Sequence, residues 1–142
     1  MKKIIFFSIL TLLVVGFTFI IFRFVQKNEG EYGVKNLPDI IVESPKENSR
    51  IQSPVMIRGK ARGTWFFEAS FPILLQDKER NTIIAGPARA EGEWMTDQYV
   101  PFSAEFIFSG TKNGEKGFLV FKKDNPSGLP EHDASTSISI TF

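Results

Sequence analysis

Gly63 to Leu75 reads GTWFFEASFPILL, and this stretch decides the fold. With a period of two, Trp65, Phe67, Ala69, Phe71, Ile73 and Leu75 share one face, and Phe66, Glu68, Ser70, Pro72 and Leu74 share the other. Alternation with aromatic enrichment predicts a half-buried strand, because a helix would spread the same rings around its circumference. A face with a large apolar group at nearly every position must be covered by a second layer. The stretch is therefore expected to form the central strand of a β-sandwich, with Phe67 and Phe71 in the core.

Outward from this strand, short apolar runs alternate with turn residues. Ile40-Ile41-Val42 predicts a first strand, stopped at Ser44-Pro45. Val55, Ile57, Gly59 and Ala61 alternate with Met56, Arg58, Lys60 and Arg62, giving a strand with one basic face. Thr82 to Ala85 predicts another, which Gly86-Pro87 is expected to interrupt before Ala88 to Ala90. Phe102, Ala104, Phe106 and Phe108 alternate with Ser103, Glu105, Ile107 and Ser109, so Phe106 is expected inside. Asn113-Gly114 is a hairpin pair, and Phe118 to Lys122 follows it. A long loop from Lys123 to Ser135 precedes the last strand, Thr136 to Phe142, whose Ile138, Ile140 and Phe142 face inward. No helical period occurs after residue 37, so residues 38–142 read as an all-β sandwich of about seven strands.

Residues 1–37 differ in character. Nineteen residues without charge, Ile4 to Phe22, follow Met1-Lys2-Lys3. As a helix they would span roughly 28 Å, close to the thickness of a hydrocarbon core. The run ends in Arg23-Phe24-Val25-Gln26-Lys27, without the small-residue site of a cleaved signal peptide. Residues 1–27 are expected to be a transmembrane anchor whose partner, through residues 4–22, is the membrane. Residues 28–37 are expected to be a polar tether. The basic residues at both ends give a weak preference for a cytoplasmic N-terminus, which places the C-terminal domain outside the cytoplasm.

The chain has no Cys, which excludes disulfides, thiolate metal sites, a cysteine nucleophile and an acylated cysteine. Residues 1–37 take five basic and two acidic groups from totals of 17 and 16, leaving 12 against 14 for the domain. That balance gives no case for nucleic acid as a partner.

Four blocks carry a resemblance: GTWFFEASFP at 63–72, GEWMT at 92–96, PFSAEFIF at 101–108 and KDNPSGLPEHDAS at 123–135. Together with the opening segment 40–61, they resemble the immunoglobulin-like domain associated with bacterial sporulation, spore-germination and cell-envelope proteins. The resemblance covers nearly all of residues 38–142. It implies a bacterial source, an immunoglobulin-like sandwich and an extracytoplasmic position, with no established catalytic activity and no agreed ligand. Germination proteins of this kind carry a further module before the domain, where this chain has the apolar segment and tether.

Candidate site residues concentrate in the last loop. His132 lies between Glu131 and Asp133, with Asp124 earlier, and a histidine beside carboxylates could serve as a general base in a small hydrolase. No Ser, Cys or second His stands at a recognisable catalytic spacing, so no catalytic residue is assigned. Asp124, Asn125, Glu131 and Asp133 are hard oxygen ligands suited to calcium, but the spacing fits no EF-hand and no metal or other cofactor is assigned. Such loops lie at one end of a sandwich, where binding commonly occurs. Asn125, Leu129, Glu131, His132 and Asp133 are therefore candidate binding residues. Two readings stand side by side: an exposed binding loop, or an ordered crossover with Leu129 packed down and Asn125 capping a turn. Trp94 and Tyr99 are further candidates, able to stack on a sugar if exposed. Glu68 is expected to pair with Arg58, Lys60 or Arg62 on the preceding strand. The sequence thus favours a non-catalytic module that recognises or scaffolds an envelope protein, with a carbohydrate- or peptidoglycan-binding module as the alternative.

Overall fold

A computed structural model describes residues 37–142, and the expected anchor at 1–27 and nearly all of the tether lie outside the described residues. Seven strands run in chain order: β1 (Ile40–Ser44), β2 (Val55–Arg62), β3 (Ser70–Asp77), β4 (Thr82–Ala90), β5 (Tyr99–Phe106), β6 (Lys116–Lys122) and β7 (Ser135–Thr141). All neighbours are antiparallel, in the order β1-β2-β5-β4-β3-β6-β7. The sheet folds over at the β4–β5 junction, where only Arg89↔Ser103 and Ala90↔Phe102 pair. Phe102 of β5 then meets Phe71 of β3 edge to face at 4.9 Å, although the two strands are not neighbours. At the far margin Arg50 bridges Thr141, and the Ile51 N–H donates to the Thr141 carbonyl at 2.8 Å, so the β1–β2 connection covers part of the β7 edge. The result is an immunoglobulin-like sandwich that comes close to a closed barrel.

The alternations set the core. Val55, Ile57 and Ala61 of β2, and Val100, Phe102, Ala104 and Phe106 of β5, are buried. They face Phe71, Ile73, Leu75, Leu119, Phe121 and Ile140 from the other layer. Burying each large side chain contributes about 1.5–3 kcal/mol, and no polar side chain among the described residues is buried with them.

The opening stretch is not one continuous strand. Gly63–Trp65 is a single 3₁₀ turn, and β3 starts only at Ser70. Between them the Phe67 and Ser70 backbones exchange hydrogen bonds of 2.9 and 3.1 Å around Glu68 and Ala69, both left-handed at φ +49° and +59°. This two-residue turn breaks the alternation. Trp65 and Phe66 are both buried, and Phe67 is 42% exposed rather than in the core. Glu68 sits at the turn tip, and β3 does not border β2, so the expected pairing with Arg58, Lys60 or Arg62 is not made; Lys60 pairs instead with Glu43 at 3.3 Å, and Arg62 Nη1 donates to the Asp97 carbonyl.

β4 is also continuous where an interruption was expected. Pro87 stands opposite Pro72, which is possible only as a non-hydrogen-bonded pair, because neither residue has an N–H. The proline nitrogens then point to sides where pairing with β6 begins only at Ile73 and pairing with β5 only at Arg89.

Candidate functional site

Three connections lie at one end of the sandwich: β2–β3 (residues 63–69), β4–β5 (91–98) and β6–β7 (123–134). The first is held by the other two. The Gly63 N–H donates to the Gln98 carbonyl at 3.0 Å, and Arg62 Nη1 donates to the Asp97 carbonyl at 3.1 Å. On the other side the Asp124 N–H donates to the Trp65 carbonyl at 3.0 Å. A Cβ on Gly63 would stand 1.9 Å from the Thr96 carbonyl oxygen and 2.3 Å from that of Trp94, so only glycine permits this approach. Trp65 is 3% exposed, and its indole N–H has no hydrogen-bond partner.

Thr64 and Phe66 form a ridge between two open hollows. One, of ≈ 340 Å³, is lined on its far side by Trp94, Met95, Thr96 and Asp97. The other, of ≈ 380 Å³, is bounded by Phe67, residues 123–127 and His132. Each of the three connections carries one exposed apolar side chain: Phe67 at 42%, Met95 at 78% and Leu129 at 47%. The other exposed large apolar side chains among the described residues, Leu37, Ile41, Met56 and Ile107, lie outside these three connections.

The last connection is internally braced. Asn125 Nδ2 donates to the Leu129 carbonyl at 2.8 Å and to Asp133 Oδ1 at 2.7 Å. Both partners are acceptors, so the orientation of the amide is fixed and its Oδ1 must accept; Ser127 Oγ donates to it at 2.5 Å. The single hydroxyl proton of Ser127 is thereby used. His132 Nδ1, 3.0 Å from the same oxygen, must be the donor in that contact. A serine that accepts from histidine is not being deprotonated by it, which is the reverse of nucleophile activation. Asp124 and Asp133 make no hydrogen bond to His132, so the candidate hydrolase trio does not assemble. Among the described residues no three His, Cys, Asp or Glu side chains gather as a metal-holding group, and Asp124, Glu131 and Asp133 are no exception.

The geometry of this loop bears on each reading at a different residue. Asn125 does organise the turn, as the crossover reading expects, while Leu129 projects outward, as the binding reading expects. Glu131, His132 and Asp133 are exposed beside it. Trp94 is half-buried and packs against the core from the wall of the first hollow. Tyr99 is committed to the domain itself: its hydroxyl donates to the Pro38 carbonyl and the Arg62 guanidinium lies 4.2 Å above its ring. The sequence reading missed Phe67, Met95 and Ser127. Phe67 was hidden by an alternation carried through a turn, and Met95 had no pattern around it. The Ser127–His132 contact had a visible spacing of five residues but no motif.

The model of the family described as the immunoglobulin-like domain of bacterial spore germination matches residues 39–128. No curated protein matches the chain.

Proposed function

The chain belongs to the family of immunoglobulin-like domains of bacterial spore germination, and from that membership we propose that it is a non-catalytic recognition module that binds a protein partner in the cell envelope through the β2–β3, β4–β5 and β6–β7 loops. One observation carries this reading: these loops are hydrogen-bonded into a single surface, and each presents one exposed apolar side chain, Phe67, Met95 or Leu129. Loops whose backbones are braced before binding limit the entropy lost on association. The uncharged run at residues 4–22 supports a membrane-anchored position with the domain outside the cytoplasm.

Site-specific photo-crosslinking in the native cell tests the proposal. A photoreactive amino acid at positions 67, 95 and 129 should give one common adduct, absent when the same probe replaces Glu47 or Lys112 at the opposite end. If adducts form only from positions 47 and 112, or from none of the five, the loop end is not a recognition surface.

A further inference from the structure

The chemistry of the partner follows from charge, given the recognition end proposed above. Two occupants suit exposed apolar side chains here, a bilayer surface and another polypeptide, because the chain enters the domain at this same end. Ile40 pairs with Ala61, and the Arg62 N–H donates to the Asp39 carbonyl at 2.8 Å. The loops 63–69, 91–98 and 123–134 hold one, three and three carboxylates, against Lys123 within them and Arg62 and Lys122 at the adjoining strand ends. None of these carboxylates is in an ion pair among the described residues; the pairs found join Lys60 to Glu43 and Lys78 to Glu79 and Glu115. An anionic lipid surface would be repelled by such an end, whereas a cationic polypeptide would be drawn to it.

We infer that the loop end docks a basic, apolar-bearing polypeptide segment. Thr64 and Phe66 wall both hollows, so a segment laid across this ridge can lower an apolar side chain against Met95 on one side and against Phe67 on the other, with Leu129 exposed on the adjoining loop. Its Lys or Arg residues then meet Asp97 in one hollow and Asp124 in the other, with Glu93 and Glu131 exposed on the same loops. The apolar contacts supply affinity, and the carboxylates select sign and speed encounter.

The test uses the full-length chain in nanodiscs of zwitterionic lipid, with three fluorescent synthetic peptides: alternating arginine and leucine, alternating glutamate and leucine, and lysine alone. The arginine–leucine peptide should bind most tightly, and raising the salt from 0.05 to about 0.5 M should weaken it, as the screening length shrinks. Phe67→Ser with Leu129→Ser, and separately Glu93→Lys with Glu131→Lys, should each reduce affinity at least about tenfold; Glu47→Lys at the far end should not change it. Equal binding of the glutamate or lysine peptides overturns the inference. So does attachment of the chain to added anionic vesicles, which makes a bilayer the occupant, or concentration-dependent self-association, which makes it a second copy. Loop-specific crosslinks in cells combined with no peptide binding would refute the basic partner and leave the recognition end standing; absence of both would remove the two together.

Discussion

Ala69→Gly should stabilise the domain. Ala69 is held at φ +59° directly after Glu68 at +49°, the left-handed pair demanded by a two-residue turn whose usual occupants are Asn-Gly. An L-residue with a Cβ gives up about 1–2 kcal/mol in that region. Glycine relieves most of this but enters folding with a looser unfolded chain, which returns about 0.5–1 kcal/mol. The difference favours the variant by roughly 0.5–1 kcal/mol, or about 3–6 °C in Tm for a domain of this size. The turn geometry itself should persist, because it is fixed by the paired Phe67–Ser70 bonds and by the Ala90 N–H donating to the Ala69 carbonyl at 2.9 Å. Urea and thermal melts of residues 38–142 measure the change, with Ala69→Val as the opposing case, since a β-branched residue resists positive φ more strongly. A lower Tm for the glycine variant, or an unchanged one for valine, would refute the strain assigned to this turn.

Other outcomes follow from the same packing. Residues 38–142 alone should melt cooperatively, because they form a separate compact unit with its own core; a non-cooperative thermal transition would show that something outside them completes it. Phe102→Ala and Phe106→Ala should cost about 3–5 kcal/mol in urea denaturation, and Phe67→Ala less than about 1 kcal/mol, since Phe102 and Phe106 are buried and Phe67 is not. Gly63→Ala should destabilise the fold and displace residues 94–96, visible as backbone amide shifts, because its methyl would enter two carbonyl oxygens. Asp77 is held below the ordinary carboxylate range, chiefly by the Asn81 side-chain amide at 2.9 Å. Its contribution is therefore present above the unfolded-state pKa and lost as the pH falls through the lower folded-state value. Asp77→Asn should make the acid limb of the stability curve shallower.

Most of the sandwich was legible because strands keep side chains to strict sides. The buried positions of β2 and β5 and the inward Ile140 and Phe142 fall where alternation puts them. The reading failed where local geometry departs from a period of two. Trp65, Phe66 and Phe67 look like part of a strand, yet they occupy a 3₁₀ turn and its exit. The left-handed Glu68-Ala69 pair carries no Gly or Asn to announce it. Proline at 87 suggested a break because its effect depends on the residue opposite, and Pro72 is a partner that only pairing reveals. The site was legible in part for a related reason. A polar, proline-bearing loop marks itself, so Asn125 to Asp133 stood out. Phe67 and Met95 become site residues only when three connections distant in sequence meet at one end.

That meeting ties the strained turn to the surface it supports. Glu68 and Ala69 lie two and three residues beyond Phe66 of the ridge that separates the hollows, and Phe67 projects from the turn itself. Relaxed turns such as Asn-Gly would give the same reversal at lower cost. Strain of 1–3 kcal/mol per residue persists only where the surroundings over-determine it. Here the surroundings are the Gly63–Gln98, Asp124–Trp65 and Ala90–Ala69 hydrogen bonds, the same contacts that fix the three loops relative to one another. The bracing that holds an unfavourable backbone therefore also fixes the backbone from which Phe67 projects, so under the proposed recognition role less backbone ordering is left to be paid on association.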